Sequence, residues 1–384
     1  MGKIESAISL LGWKPKDKFL ILEISPEKSR ALLLGVDKDR NLSLERSWDE
    51  FPLKKLNAAQ IGNLSKKKVI VSVAPTLIYT RAFPIELARD SSAAPLSLVE
   101  LENLLAQTIG KLFNGERKNA SAHLGVDELN AILVNSRVSD FKVDGHAVLN
   151  PAGFAGKIIK AVLELSFTTR SVFYGLRNFF NAKEGFFFTG THLAGLRFLA
   201  WMESLPANLL VVGDENSFYL TLDKAAWGNS VYSGEIEWQI KLLWKAIASS
   251  LGVSNATVAR IYDSFVRRDA SADFIRSFRR LIKPEIDNFL DRVKKSRLKG
   301  RVHLHSATPL PFSMPLTLGR LTFCDLPMAR ALEKGGFKAD IAQWPFNSRD
   351  VFMRLAPFFE FYYDKSDSDI NNKLRRRLHW LIQE

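Results

Sequence analysis

The sequence predicts an α/β protein with two similar lobes. Clusters of short apolar strands alternate twice with helical segments, and a helical region interrupts the second cluster. Hydrophobic residues make up 46% of the chain and charged residues 25%, which is typical of a globular protein with sizeable cores. A chain of 384 residues is long enough for about two or three domains.

The first strand cluster opens with a predicted β-hairpin. Residues 19–24 read FLILEI and residues 29–36 read SRALLLGV, two apolar strands joined by a turn that contains Pro26. A third strand is expected at 42–48, and a buried fourth strand at 68–73. These strands form the first lobe of the prediction.

The second strand cluster opens in the same way. Residues 209–222 read LLVVGDENSFYLTL, a strand, a tight turn that begins at Gly213, and a second strand. Turns of this shape often bind phosphates, because backbone N–H groups converge there and glycine lets a ligand approach closely. Here the tip carries the carboxylates of Asp214 and Glu215. Two interpretations stay open: a surface hairpin, or a nucleotide loop that has lost its nucleotide.

Helical patterns lie between and after the strand clusters. An amphipathic helix is expected at 97–113, and strands at 129–135 and 146–149. The region 235–298 is almost wholly helical in pattern, with Pro284 near the start of one helix. The sequence therefore predicts a helical insert in the second lobe.

The charge balance favours an anionic partner. The net charge is +13 and the pI about 9.7, with the excess concentrated at 66–68, 241–301 and 373–377. Either nucleic acid or the anionic face of a membrane would suit such a chain. One cysteine, Cys324, allows no internal disulfide and fits a reducing cytoplasm. No apolar run reaches the ~18 residues of a membrane span, and no signal-peptide pattern is expected at the start.

Residues 141–160 read FKVDGHAVLNPAGFAGKIIK, and this order of turn residues resembles the bacterial cell-division protein family FtsA. In that family a similar stretch ends an inserted subdomain and leads back into the first lobe. The rest of the chain is similar to the same pattern nearly end to end. The resemblance implies an actin-like (ribonuclease H-like) two-lobed fold of the actin-like ATPase superfamily, with an SHS2-type inserted subdomain and a mostly helical fourth subdomain. PilM, the pilus-assembly relative, shares this architecture.

The resemblance also implies a domain organisation. The expected parts are an N-terminal leader at 1–17, a first lobe at 18–82 and 166–200, an SHS2-like insertion at 83–165, a second lobe at 201–235 and 300–363, a helical insert at 236–299, and a linker with a C-terminal amphipathic helix at 364–384.

Three loops would hold a nucleotide in such a fold, and all three depart from the family pattern. The resemblance places this degenerate site at Glu23, Ser25, Lys28, Asp214, Asn216, Ser217 and Ser306. Pro26 removes a backbone N–H, and Glu27 adds a negative charge where phosphates would sit. A carboxylate about 4 Å from a phosphate oxygen costs on the order of several kcal/mol. No cofactor is therefore expected, and ATP with Mg²⁺ is the alternative if the altered loops still bind it.

The C-terminal segment 370–384 reads INNKLRRRLHWLIQE, the pattern of an interfacial membrane helix. The alternative is a terminal helix that packs on the fold. The residues expected to bind an anionic membrane are Leu374, Arg375, Arg376, Arg377, Leu378, Leu381 and Ile382.

The resemblance implies an FtsA-like, membrane-associated adaptor or scaffold of the divisome, cytoplasmic and peripheral on the inner face of the cell membrane. Its partners would be the tubulin-like FtsZ or other divisome or pilus membrane proteins, and copies could associate into filaments. One alternative is a PilM-like pilus-assembly adaptor, which would bind a short peptide of a pilus membrane protein between the first lobe and its insertion.

A second alternative is DNA binding. Residues 247–268 resemble a helix-turn-helix in which Thr257, Arg260 and Arg267 would contact DNA, although nucleic acid is not the expected partner. Enzymatic readings have less support, since no catalytic motif is found. His303 and His305 lack further metal ligands at suitable spacing, so no metal site is expected.

Overall fold

The structure of the chain is a computed structural model. It describes residues 17–51, 67–89, 93–180, 187–203, 205–225, 228–306, 308–346, 348–363 and 369–377. Residues 1–16 of the predicted leader, and residues 364–368 and 378–384 of the predicted linker and C-terminal helix, lie outside the described residues.

The described elements form fifteen strands and nine α-helices. The strands are β1 (Asp17–Ile24), β2 (Ser29–Val36), β3 (Leu42–Trp48), β4 (Lys67–Val73), β5 (Ile78–Ala88), β6 (Ala131–Val143), β7 (His146–Ala147), β8 (Ile158–Thr169), β9 (Phe187–Gly190), β10 (Ala207–Val212), β11 (Ser217–Ala225), β12 (Gly228–Ile236), β13 (Gly300–Ser306), β14 (Leu316–Leu318) and β15 (Leu321–Cys324). The helices are α1 (Leu98–Leu124), α2 (Arg170–Phe180), α3 (Thr191–Met202), α4 (Ile240–Leu251), α5 (Asn255–Arg267), α6 (Ala272–Lys295), α7 (Met328–Gly335), α8 (Ser348–Tyr363) and α9 (Asp369–Arg377).

The first lobe is built on a sheet of five strands in the order β3-β2-β1-β4-β9. The first three strands are antiparallel, because short connections join them, whereas β4 and β9 run parallel to β1. The central strands are apolar on both faces, since helices cover the sheet from both sides. The predicted opening hairpin is confirmed, with Ile24 paired to Ser29.

The second lobe repeats this order and these directions. Its sheet runs β12-β11-β10-β13-β15-β14, where β10 is antiparallel to β11 and parallel to β13, and β13 is parallel to β15. The short strand β14 adds a sixth member at the edge. Two sheets with one topology confirm the predicted two-lobed, actin-like α/β fold class.

Helices α3 and α8 lie between the two sheets and join the lobes through one hydrophobic core. Phe198 of α3 stacks on Phe359 of α8 with ring centroids 4.3 Å apart. The same core takes in Phe19 of the first sheet and Leu209 of the second. The packing is close, because a Cβ added at Gly195 of α3 would lie 3.0 Å from the side chain of Met353.

The inserted subdomain is a sheet in the order β5-β8-β6-β7 with α1 packed on one face. Along β8, Leu163 and Leu165 face α1, while Val162 and Glu164 face the opposite side. Strands β5 and β8 pair along their length, from Ala88 opposite Ile158 to Ile78 opposite Thr168.

The stretch that carries the family resemblance closes the inserted subdomain. Asp144 and Gly145 have positive φ and make the tight turn from β6 to β7. The Asp144 carboxylate accepts N–H groups from Lys157 and Ile158 at the start of β8, and these bonds lower its pKa. A Cβ at Gly156 would lie 2.3 Å from Val143 Cγ1. Positive φ angles and close packing therefore account for Asp144, Gly145 and Gly156 in this stretch.

The segment 236–299 contains the helices α4, α5 and α6, which cover the outer face of the second sheet. Trp238, fully buried, packs against Phe289 of α6 with ring centroids 4.7 Å apart. Pro284 lies inside α6 rather than near the start of a helix as predicted, and the helix runs on through it to Lys295. Among the described residues no helix is both long enough and apolar enough to cross a bilayer.

Candidate functional site

The first predicted nucleotide loop is a closed turn at 25–28. The N–H of Ser25 donates to the carbonyl oxygen of Lys28 at 3.1 Å, and the Ser25 hydroxyl donates to the same oxygen at 2.7 Å. The N–H of Lys28 in turn donates to the Ser25 hydroxyl at 3.3 Å. Glu23, at the end of β1, lies 3.6 Å from Arg30 of β2. The N–H groups of Ser25 and Lys28 are therefore engaged within the turn, and Pro26 supplies none.

The second loop, at 213–216, is closed in a different way. The N–H of Gly213 donates to the carbonyl of Asn216 at 3.0 Å. The carbonyls of Gly213 and Asp214 then accept the N–H groups of Ile240 and Lys241, at 3.1 and 3.3 Å, from the first turn of α4. A helix N-terminus would ordinarily attract an anion, but these two donors are satisfied by the chain itself.

Lys241 is a residue of this region that the sequence did not identify. Its ammonium pairs with the Glu215 carboxylate, and this hydrogen bond, with the charges of Asp214 and Glu27, raises the pKa of Lys241. The same bond lowers the pKa of Glu215. Because Glu27 belongs to the first turn, the two turns lie within electrostatic range of each other. No local pattern could have shown this, since Lys241 is one of several cations in the helical insert.

The remaining predicted site residues lie at the same sheet edge as the second turn. Ser306 at the end of β13 is opposite Val212 at the end of β10, and its hydroxyl donates to the carbonyl of Thr308 at 2.7 Å. Ser217 is buried at the start of β11, and its hydroxyl has no hydrogen-bond partner among the described residues. The structure thus brings Asp214, Asn216, Ser217 and Ser306 together in the second lobe, and Glu23, Ser25 and Lys28 together in the first.

One small cavity lies beside Glu23, near the end of the first hairpin strand. It measures about 10 Å³, which is room for one water molecule, and Ser72, Thr191 and Arg354 also line it. Ligand sites commonly measure about 300–1,000 Å³. This cavity could not take a nucleotide unless the packing around it opened.

His192 lies at the contact between the two lobes. His192, at the start of α3, packs edge-on to Phe218 of β11 with ring centroids 5.2 Å apart, and its ring lies 6.0 Å from that of His305 on β13. Burial, and after it the nearby His305, lowers the pKa of His192 to about 3. The imidazole is therefore neutral at pH 7 and packs as an uncharged group.

A far larger groove lies on the other side of the inserted sheet. Its volume is about 760 Å³, within the range of small-molecule and peptide sites. The inserted subdomain forms one wall with Ala147, Leu149 and Val162. Leu149, at the rim of this wall, is 92% exposed. Leu149 thus adds an accessible apolar side chain to the rim of the groove.

The opposite wall comes from the two lobes. Trp201 of α3 stacks on Tyr363 of α8 with ring centroids 4.3 Å apart, and both line the groove. Leu222 of β11 and Val231 of β12 continue this wall into the second sheet. The groove therefore has apolar sides formed by three separate parts of the fold.

The floor of the groove is charged. Arg197 of α3 pairs with Glu164 of β8 and with Glu360 of α8, and Glu360 also accepts the hydroxyl of Thr189 at 2.5 Å. Arg137 of β6 lies 3.7 Å from Glu360. Burial makes this pairing necessary, because an isolated charge there would be costly. The cluster ties the inserted subdomain to the helices between the lobes, and it offers polar groups to an occupant.

The predicted membrane helix is only partly described. Leu374 is fully buried in the core of the inserted subdomain together with Ile370, so the structure corrects the expectation that Leu374 faces a membrane. An apolar stripe fits a protein core as well as a bilayer. Arg375, Arg376 and Arg377 lie in α9, whereas Leu378, Leu381 and Ile382 lie outside the described residues.

The other candidate motifs have simple structural roles. Helices α4 and α5 do meet at a glycine turn, Gly252, and the Ser254 hydroxyl caps α5, as a helix-turn-helix would require. His303 is buried between the Asp325 carbonyl at 2.9 Å and the Glu203 carboxylate at 3.1 Å. In the part of the chain that the structure describes, no group of three or more metal-ligating side chains is found.

No protein-family model matches the chain, and no curated protein matches it. Among solved structures the chain is similar to one titled "PilM-PilN type IV pilus biogenesis complex", at 14% identity and a TM-score of 0.44, over 92% of this chain and 100% of that one. It is also similar to a protein of Bacteroides thetaiotaomicron with an actin-like ATPase fold and unknown function, at 10% identity and a TM-score of 0.31, over 77% of this chain and 84% of that one.

A third similar structure is the ethanolamine utilization protein EutJ from Carboxydothermus hydrogenoformans, at 11% identity and a TM-score of 0.29, over 79% of this chain and 85% of that one. The fold class rests on the repeated sheet topology of the two lobes.

Proposed function

We propose that this chain is a non-catalytic adaptor of envelope machinery, similar to PilM, that binds an extended segment of a membrane-protein partner. The observation that carries the proposal is the groove of about 760 Å³ between the inserted subdomain and the lobes. A PilM-like adaptor is expected to bind its partner peptide between the first lobe and the insertion, and the groove adjoins that region. The proposal contains no nucleotide chemistry, since the N–H groups of Ser25, Lys28 and Gly213 donate within the turns. Pro26 supplies no N–H.

The walls and floor of the groove suit a peptide of mixed character. Apolar side chains of an extended segment would pack between Leu149 on one side and Trp201 on the other. Polar groups of the segment would meet Arg137 and Glu360 on the floor. Hydrophobic walls give affinity, and a few fixed polar groups give orientation. Alternating side chains of an extended peptide match this division.

A scaffold of the FtsA type, bound to membrane and FtsZ, is a second candidate. The observation that favours it is the cationic character of the helical insert and α9: residues 240–299 hold 14 lysines and arginines against six aspartates and glutamates. Such a surface is attracted to anionic lipid. Co-sedimentation of the full chain with vesicles of 30 mol% phosphatidylserine tests this membrane-bound scaffold. If the chain stays in the supernatant at low salt, the scaffold candidate is contradicted.

The adaptor proposal is tested with a peptide-display library selected against the full chain. Selected peptides are then measured by calorimetry on two matched variants of β12. Val231→Glu places a charge in the groove wall, and we expect it to weaken binding at least tenfold. Tyr232→Glu is the control, because that side chain lies on the other face of the strand and is 54% exposed. Melting curves confirm that both variants are folded.

Two results would contradict the adaptor proposal. The first is a selection that yields no peptide above background. The second is a set of peptides whose affinity is equal for the wild type and Val231→Glu, since their site would then lie outside the groove.

A further inference from the structure

The C-terminal helix α9 is held on the inserted subdomain by a small number of close contacts. Ile370 and Leu374, one helical turn apart, are both fully buried in the core between the sheet and α1. On the exposed side of α9, Lys373 lies 3.8 Å from Glu102 of α1. Two apolar anchors therefore fix a helix of nine residues.

Asn371, between these anchors, binds the edge of strand β6. Its amide oxygen accepts the N–H of Val138 at 2.8 Å, and its amide nitrogen donates to the carbonyl of Val138 at 3.0 Å. Asn371 is 1% exposed, so both bonds are shielded from water. A primary amide carries the same donor and acceptor as a peptide group. Asn371 thus satisfies at Val138 the hydrogen bonds that a neighbouring strand would make.

This edge belongs to the groove. Val138 lines the groove with its neighbours Arg137 and Ser139, and it is also part of the core that holds Ile370 and Leu374. An open strand edge is a ready template for an incoming peptide, and proteins commonly cover it. Here the cover is the last described helix of the chain.

We propose that α9 is an internal strap that occupies the β6 edge and must leave before an extended partner segment pairs with Val138. This inference rests on the proposed function, because it describes how access to the same groove is regulated. Docked α9 and the bound partner compete for one N–H and one carbonyl. A competitor held within the chain lowers the apparent affinity of the partner by the fraction of molecules in which the edge is free.

The first experiment measures the affinity of a groove-dependent display peptide for two neighbouring variants of the full chain. Asn371→Ala removes both bonds to Val138, and we expect the peptide to bind about tenfold more tightly, which is about 1.4 kcal/mol. Asn372→Ala is the matched control, since Asn372 is exposed on the same helix, and its affinity should equal that of the wild type. Equal affinity for Asn371→Ala and Asn372→Ala overturns the inference and leaves the adaptor proposal standing.

The second experiment needs no external partner. Hydrogen exchange of the Val138 amide should be slow in the wild type and faster in Leu374→Asp. The buried charge of this variant should release α9 from the core of the inserted subdomain. A synthetic peptide of residues 369–377, at about 1 mM to match the effective concentration of a tethered segment, should slow exchange again. The same peptide with alanine in place of Asn371 should not.

These outcomes separate the two proposals. If the synthetic peptide restores protection but no display peptide binds the groove, the adaptor proposal fails and the strap remains as a docking element. If Val138 exchanges equally fast in the wild type and in Leu374→Asp, the strap inference is overturned. Melting curves exclude a variant that has lost its fold.

Discussion

The inserted subdomain and the nucleotide-type turns are both places where separate parts of the chain meet, and they differ in nearly every physical respect. Beside Glu23 the cavity measures about 10 Å³, and the nearby turns at 25–28 and 213–216 are closed by backbone hydrogen bonds. Beside the inserted sheet the groove measures about 760 Å³, with apolar walls and a paired charge cluster on its floor. One site is closed by its own hydrogen bonds, whereas the other has room for a ligand.

In this fold the sheet topology is retained where the nucleotide site is not. Two sheets of one order preserve the turns at the ends of β1 and β10, because those turns are needed to connect antiparallel strands. Nothing in that requirement preserves free N–H groups for a phosphate. Function must therefore be argued from the site, and here the site with room is the groove.

The largest expected effect comes from breaking the floor of the groove. Arg197→Ala leaves the carboxylates of Glu164 and Glu360 buried without their main partner, and we expect a loss of about 3–5 kcal/mol in the free energy of unfolding. Urea denaturation measures it. Arg330→Ala is the control, because that side chain is 59% exposed beside Glu203 and should cost less than about 1 kcal/mol. Equal losses would mean that the cluster does not hold the groove together.

The next effect concerns the contact between the lobes at His192. Its folded pKa of about 3 lies below the ordinary value of 6.5, so the folded state resists protonation. The stabilisation is complete above pH 6.5 and is lost as the pH falls toward 3. Between pH 7 and pH 5 this one group should remove about 2 kcal/mol. His192→Gln should flatten that part of the stability curve, whereas exposed His146→Gln should leave it unchanged. If the stability curves of the wild type, His192→Gln and His146→Gln ran parallel between pH 7 and pH 5, His192 would not be a shielded neutral group at the contact between the lobes.

A smaller effect tests how tightly the second turn is closed. A Cβ on Gly213 would lie 2.6 Å from the carbonyl oxygen of Asn216, a backbone atom that cannot move aside. Gly213→Ala should therefore cost about 1–3 kcal/mol. Gly110→Ala, in α1 with nothing within 4 Å of the added Cβ, should instead stabilise by about 0.5–1 kcal/mol. Thermal unfolding measures both, and a neutral Gly213→Ala would mean that the turn is loose enough to admit a ligand.

The sequence predicted well those features that depend on neighbouring residues. Both hairpins, at 25–28 and 213–216, follow from apolar runs interrupted by turn residues, and the helical pattern of 235–298 matches α4 to α6. Asp144 and Gly145 indicated a turn because aspartate and glycine both tolerate the positive φ angles that such a turn requires.

The sequence could not predict the features that join distant residues. Arg197, Glu164 and Glu360 lie in three different elements, and no local pattern links them. The apolar spacing around Leu374 fits a bilayer and a protein core equally well. Leu374 is buried in a core that also contains Val138, which lies 236 positions earlier in the chain. The groove is a property of tertiary packing alone.

The smallest expected effect is on nucleotide binding. We expect 1 mM ATP with Mg²⁺ to shift the melting temperature by less than about 1 °C, because the carboxylates of Glu27, Asp214 and Glu215 oppose a phosphate. Some of the backbone N–H groups of both turns are also engaged within the chain. A nucleotide present at 100 times its dissociation constant would add about 2.7 kcal/mol, which is several degrees for a chain of this size. A clear upward shift would show that the turns open, and it would move the ligand site from the groove back to the lobes. Thr191→Asp adds a carboxylate to the lining of the cavity beside Glu23. If this variant abolished the shift in melting temperature, the nucleotide would bind in that cavity after it had opened.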